Sequence, residues 1–394
     1  MFMKESGLRF RSRLAAHGWG PGFREDLIMI DYDIRVRVAT TQMEPVWYNA
    51  HETITKMIQM IREAASNGAQ LVAFGECMIP GYMYHVWTER MWDGHSKYDL
   101  LLMQNSLELD GPEMRRLMQA AKDNSIYVVT GYIERDGGSR YMSEVVISDE
   151  GRILMNRRKL KPTDAERCVC GDGTGADLKV VKTPLGIIGT TECWEHVQPL
   201  ITYAMSSMHE QIHIAAWPGN RFNSLYYLTQ AYGNVIDFSR VYAMQTQTFV
   251  LMAMPLVGQD CLDYFCGNDP DKLKVMSKGG GLAQIISPSG DFLCQWLPDD
   301  QDGIVYADID LNEILQAKAM VDPVGQYSRP DIFCLHINKG DNPHTVVTGN
   351  PSADLAVERA NHAFENDNGN PVEREGQVGQ SDLLKVSPGQ WNHK

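Results

Sequence analysis

Short, almost wholly apolar runs recur along the chain, and they constrain its fold more than any other feature. LVAF (71–74), IYVVTGY (126–132), IHIAAW (212–217) and TFVLMAM (248–254) are too brief for buried helices and rich in β-branched and aromatic side chains. Such runs read as strands enclosed on both faces. Between them the period changes. IRVRVATTQ (34–42) starts with the apolar and charged alternation of a half-buried strand. Ile54, Met57, Ile58, Ile61 and Ala65 then fall at helical spacing, with Gly68 placed to end the helix in a left-handed turn.

The middle of the chain adds hairpins. YMSEVVIS and RILMNRR pair around Asp149, Glu150 and Gly151, and LKVVKTPLGIIGTT folds back near Pro184. A helix is expected around 229–244, and GLAQIIS, DFLCQWL and GIVYADID read as a closing β-meander. Strands separated by helices in one part and by hairpins in another imply a mixed-sheet α/β domain covered by helices. No repeat or linker interrupts 34–338, so we expect one domain there. Residues 1–33 form an extension, of which the first 28 read as dispensable. The Gly, Asn, Asp and Pro-rich tail over 339–394 buries little and is ordered only against a partner, if at all.

Composition narrows the function classes. With 394 residues, 43% of them hydrophobic, a substantial core is available, and a formal net charge of -14 repels nucleic acid and anionic lipid alike. No run approaches the roughly 18 apolar residues of a membrane span. The eight cysteines contain no C-x-x-C pair and follow no secretory leader, which points to reduced thiols in a cytoplasm.

Three ionisable side chains stand just past strand ends: Glu76 after LVAFG, Lys159 after RILMNRR and Cys193 after GIIGTTE. The crevice beyond strand ends is where α/β sheets commonly hold ligands. Each residue has a bland reading alone, as a loop acid, part of a basic run, or a buried thiol. Together they make a coherent nucleophile. An ordinary thiol is only about 3% ionised at pH 7 and needs a base, a cation or a helix N-terminus beside it. Glu76 and Lys159 supply the first two, and a helix start after Cys193 the third.

FGECMIPGYMYHVW, NRRKLKPTDAER and ECWEHVQPL, in this order, resemble the three signature blocks of the nitrilase branch of the carbon-nitrogen hydrolase superfamily. The resemblance runs from about 35 to 335. It implies a four-layer α-β-β-α sandwich with mixed sheets, no metal and no organic cofactor. Glu76 would be the general base, Lys159 the cationic residue, Cys193 the nucleophile and Glu166 a second glutamate that positions the site. The implied activity is hydrolysis of an organic nitrile to a carboxylic acid and ammonia, through a thioimidate and a thioester on Cys193. Cyanide degradation or amide hydrolysis on the same fold are the alternatives. The family pairs across a two-fold interface and builds spirals or filaments, so a homo-oligomer is expected. Tyr82 and Trp194, aromatic residues inside the signature blocks, are expected to line the substrate pocket.

The chain departs from the family pattern at three places. Glu192 stands before the nucleophile where a neutral residue is usual; at about 6 Å and an effective dielectric near 20 an ionised carboxylate would repel the thiolate by roughly 3 kcal/mol. Such an enzyme is impaired, and left with a binding or assembly role, unless Glu192 faces away, is protonated or pairs with a cation such as Arg167. Asp164 replaces a common histidine, and Gly75 replaces a common proline. Cys168, Cys170 and Asp172 make only a weak metal pattern. GGG at 279–281 reads as a tight turn, and His196 and His209 as packing or hydrogen-bonding residues.

Overall fold

A computed structural model describes residues 30–219 and 231–340. The expected N-terminal extension and C-terminal tail lie almost wholly outside the described residues. The described residues contain eleven strands: β1 (Arg35–Met43), β2 (Leu71–Ala73), β3 (Tyr127–Asp136), β4 (Ser139–Ile147), β5 (Ile153–Arg158), β6 (Val180–Thr183), β7 (Gly186–Glu192), β8 (Ile212–Ala216), β9 (Phe249–Pro255), β10 (Gln284–Ile286) and β11 (Gly303–Asp310). Nine of them run in the order β5-β4-β3-β2-β1-β9-β8-β7-β6, with β10 beside β9 and β11 beside β1. β1 and β9 touch only through the pairs Gln42↔Met254 and Met43↔Pro255. The array therefore folds into two sheets joined at one narrow parallel seam.

Alternation along the strands builds the layers. Leu71 and Ala73 point inward to meet Ile188, Ile214, Leu251 and Ile285 of the facing sheet. Val72 and Phe74 point outward onto Ile54, Met57 and Ile61 of the helix Ala50–Ser66 and Met114 and Leu117 of the helix Pro112–Asp123. On the far side Val250 and Met252 pack on Met205 of the helix Pro199–Ser207 and Tyr242 and Ala243 of the helix Ala231–Thr246. The result is the expected α-β-β-α sandwich. It also explains the unbroken apolar runs: a strand between a sheet and a helix layer has no solvent face.

Local chemistry sets the helix ends. Asn49 caps Ala50–Ser66 through its side-chain oxygen, which accepts from the Glu52 N–H at 3.1 Å. At the other end Gly68 takes φ +82°, its N–H donates to Ala65 O at 2.9 Å, and the Ala69 N–H donates to Ala64 O at 3.1 Å. These two bonds make a Schellman cap on the glycine expected to stop the helix.

The closing meander is corrected. β10 pairs antiparallel with β9, and β11 crosses to the other sheet and pairs antiparallel with β1 over Arg35–Gln42. Residues of DFLCQWL contribute only the bridge Ile286↔Phe292. Local alternation marks a strand but carries no record of its neighbour, and β1 offered the longer edge.

Glycines let the backbone close around Glu76. A Cβ on Gly75 would lie 2.3 Å from Met254 Cα on β9, and one on Gly131 of β3 would lie 2.7 Å from Glu76 Cα. A side chain at Gly75 would therefore force the backbone at the seam to shift. Gly131→Ala is expected to lower stability by about 1–3 kcal/mol, the usual range for overpacking. Thermal unfolding beside Gly138→Ala, whose added Cβ meets nothing within 4 Å, checks this.

Candidate active site

β2, β5 and β7 all end at the same side of the sandwich, and the residues just past their ends converge. Lys159 Nζ donates to Glu76 Oε1 at 2.5 Å and to Glu166 Oε2 at 2.8 Å. All three side chains are buried. Single ligand atoms of Glu76, Glu166 and Cys193 lie within 4.8 Å of one another. Cys193 sits at the turn from β7 into a short 3-10 helix (Cys193–Val197), with φ +52°. That left-handed backbone is uncommon for a residue with a Cβ and lifts the thiol out of the strand's pleat.

Each member is held from behind. Glu166 receives the Tyr82 hydroxyl at 2.6 Å and the Thr163 N–H at 2.5 Å, and Trp87 Nε1 in turn donates to Tyr82 at 3.1 Å. Glu76 takes its backbone bond from β8's end, its N–H donating to Trp217 O at 3.3 Å. Arg157, on β5 two residues before Lys159, makes a two-pronged pair with Glu195 at 2.7 Å on both arms. Glu195 also accepts from the Leu160 N–H at 2.8 Å and the Glu192 N–H at 2.7 Å. This one carboxylate therefore ties the lysine-bearing loop to the cysteine-bearing turn.

Burial governs the protonation equilibria. Desolvation is the largest influence on Glu76 and pushes its pKa up to about 8, with Lys159 opposing and Glu166 adding to the rise. The two flanking carboxylates hold Lys159 as an ammonium, its pKa well above the ordinary value despite desolvation. Burial, then the Glu76 charge, pushes the Cys193 thiol well up. The short helix start does not make a resting thiolate here; the thiol keeps its proton until a base takes it. Glu76, Glu166 and Cys193 offer donor types that a divalent cation accepts, but the Lys159 ammonium already pairs with one oxygen of each carboxylate.

The expected site residues fall as follows. Glu76, Lys159, Glu166 and Cys193 come together. Tyr82 is buried and its hydroxyl is committed to Glu166. Trp194 is half-buried, edge-on to Trp217 and Phe238. Asp164 is exposed and adds no charge to the site, and Arg167 donates to Asp164 O on the surface and does not meet Glu192. Asp172 pairs with Lys161 at 2.7 Å, away from any ligand set with Cys168 and Cys170. His209 is exposed, whereas His196 is buried against Cys193. Arg157, Glu195 and Glu144 were missed. Their signal was a charged residue inside otherwise apolar strand or turn patterns: buried charge requires a partner.

Glu192 resolves physically. It is fully buried, and neither carboxyl oxygen finds a hydrogen-bond partner. Desolvation first, then the charges of Glu144 and Glu76, raise its pKa well above the ordinary 4.5. A carboxyl displaced toward its neutral form repels a thiolate less than an ionised one. Because the folded state binds this proton more tightly, its contribution to stability is full below about pH 4.5 and declines as pH rises toward the folded pKa. Glu192→Gln is therefore expected to unfold at a temperature that gains on wild type as pH rises above about 4.5, as measured by calorimetry across pH.

Comparison with known proteins follows the same line. A family model described as carbon-nitrogen hydrolase matches residues 37–319. An aliphatic nitrilase of Rhodococcus rhodochrous is 46% identical over 314 residues, which span 79% of this chain and 85% of the relative. An arylacetonitrilase of Aspergillus niger is 40% identical over 332 residues, 82% of this chain and 99% of the relative. A carbon-nitrogen hydrolase structure from Helicobacter pylori G27 shares the fold, with TM-score 0.62 at 16% identity over 77% of this chain and 98% of that one. With about four fifths of its length matched by relatives at these identities, the chain belongs to the carbon-nitrogen hydrolase family, in its nitrilase branch.

Proposed function

We propose that the chain hydrolyses an organic nitrile to a carboxylic acid and ammonia, with Cys193 as nucleophile. The observation that carries this reading is the dry convergence of one thiol, one ammonium and two carboxylates. The relatives named aliphatic nitrilase and arylacetonitrilase support it.

Glu76 takes the Cys193 proton as the sulfur attacks the nitrile carbon. The C≡N bond opens to C=N, and the nitrogen receives the proton, leaving a thioimidate on Cys193. A water that gives its proton to Glu76 then adds to that carbon. The tetrahedral species collapses by losing ammonia, whose last proton comes back from Glu76, and a thioester remains. A second water, activated in the same way, releases the acid and restores the thiol. Lys159 stands where negative charge grows on nitrogen or oxygen during each addition, in a site that excludes water and so strengthens its field. Glu166 holds the ammonium from the other side, and Tyr82 holds Glu166. Trp194, half-buried beside Trp217, lines the approach.

A carboxyl near pKa 8 can both accept and return a proton around neutral pH. The base form is the ionised one, so kcat/KM is expected to rise with pH through an apparent pKa near 8. Ammonia release from aliphatic, aromatic and arylaliphatic nitriles, cyanide and simple amides, across pH, tests the substrate class and this slope together. Cys193→Ala is expected to lose at least about a thousandfold, the scale of a lost covalent path. Cyanide or amide turnover without nitrile turnover would overturn the reading.

The working form is proposed to be a homo-oligomer in a reducing cytoplasm, an assignment that eight unpaired cysteines fit. No described helix is long and apolar enough to cross a membrane. Leu200 and Tyr203 on Pro199–Ser207, and Val241 and Met244 on Ala231–Thr246, are exposed apolar residues on adjacent outer helices. A second copy on this face would cover them. Leu200→Glu is expected to shift the particle toward the monomer mass in light scattering, with wild type at a multiple of it.

A further inference from the structure

A second polar chain lies behind the nucleophile and takes no part in the chemistry above. His196 Nδ1 is 2.6 Å from the backbone oxygen of Cys193. Its Nε2 is 3.0 Å from His213 Nε2, and Thr191 Oγ1 lies 3.0 Å and 3.2 Å from the same two nitrogens. His213 Nδ1 is 2.7 Å from Glu210 Oε1, and the Tyr242 hydroxyl donates to Glu210 Oε2 at 2.7 Å. All of these side chains are buried. Tyr242 also stacks on the His213 ring, with centroids 3.9 Å apart, and His196 stacks on Trp217 at 4.8 Å. β7 makes room for the acid: a Cβ on Gly189 would lie 1.9 Å from Glu210 Oε1.

The end of this chain dictates its protons. A carbonyl oxygen only accepts, so His196 Nδ1 carries a hydrogen. Burial and the neighbouring His213 hold His196 neutral, its pKa down at about 3, so its Nε2 offers a lone pair. His213 Nε2 faces that lone pair and therefore carries a hydrogen itself. A neutral His213 then presents a bare Nδ1 to Glu210, which must donate. Burial raises Glu210 to about 8 and depresses His213, both in the direction of the neutral acid.

We propose that Glu210, kept as a neutral acid, is a positioning residue: through His213 it fixes the tautomer of His196, whose Nδ1–H holds the Cys193 carbonyl and with it the left-handed nucleophile turn. The turn needs such a hold, because a residue with a Cβ stays at φ +52° only when its surroundings impose it. Tyr242 orients the acid by occupying its second oxygen. The proposal rests on Cys193 being the nucleophile only for its kinetic readout; its proton positions are independent of the substrate.

Neutron diffraction or 15N-histidine NMR of the wild-type full chain at about pH 7 reads those positions directly. Expected are one proton on Nδ1 of His196 and one on Nε2 of His213, with the other nitrogen of each ring bare. Protons on both nitrogens of His213 would show an ion pair and overturn the proposal. Two variants read the consequence. Glu210→Gln keeps a donor for His213 and an acceptor for Tyr242, and is expected to hold kcat and the rate of Cys193 alkylation by iodoacetamide within about threefold. Glu210→Leu removes the donor; kcat and alkylation are expected to fall tenfold or more, with KM within about twofold and the His196 tautomer mixed. A Glu210→Leu protein with wild-type tautomers and wild-type alkylation would overturn it. Absence of nitrile turnover in a wild type with the expected tautomers and a reactive Cys193 would instead count against the proposed substrate.

Discussion

The ammonium of Lys159, clamped between Glu76 and Glu166 at 2.5 Å and 2.8 Å in a site without solvent, is the interaction on which the rest depends. Burying an ion of either sign is costly, and removing one partner of a buried pair typically destabilises by about 3–5 kcal/mol because the other is stranded. Here one cation serves two carboxylates, so the cluster keeps an excess negative charge. The two carboxylates hold the lysine protonated against its burial, while burial first and the Glu166 charge after it lift Glu76 toward neutrality, where a carboxyl can both take and give a proton. Burial, and after it the Glu76 charge, keeps the thiol of Cys193 protonated at rest.

Such a cluster survives only in a rigid frame, and the frame is built around it. Glu195 joins the loop after β5 to the turn after β7 through Arg157 and two backbone N–H groups. Gly75 and Gly131 let three strands approach closely enough to fix the Glu76 backbone. The buried histidine pair behind Cys193 supports the turn from the opposite side. Stability and chemistry are thus written into the same contacts. The parts of the sandwich far from the seam, such as the Schellman-capped helix Ala50–Ser66, carry ordinary packing.

Much of this was legible in one dimension, because local patterns have local causes. The apolar runs marked β2, β3, β8 and β9, since a strand buried on two faces has no polar register to keep. Gly68 marked a helix stop because only a residue without a Cβ takes its φ freely. Glu76, Lys159, Glu166 and Cys193 were legible through motif resemblance and through their place beyond strand ends, and they do converge. Arg157, Glu195 and Glu210 were not, because a charged residue in a strand or turn declares that it needs a partner without naming it.

What the sequence determined by itself is the alternation of elements, their burial and the identity of the groups past the strand ends; these follow from the period of side chains and from residue chemistry within a few positions. Tertiary structure alone decided that β11 pairs with β1 and β10 with β9, that Gly75 faces the backbone of β9, and that Glu192 is buried without a partner. Register across a sheet depends on which edge is open. Protonation depends on how much water and which charges surround a group. Both are properties of contacts between residues distant in the chain, which no local pattern carries.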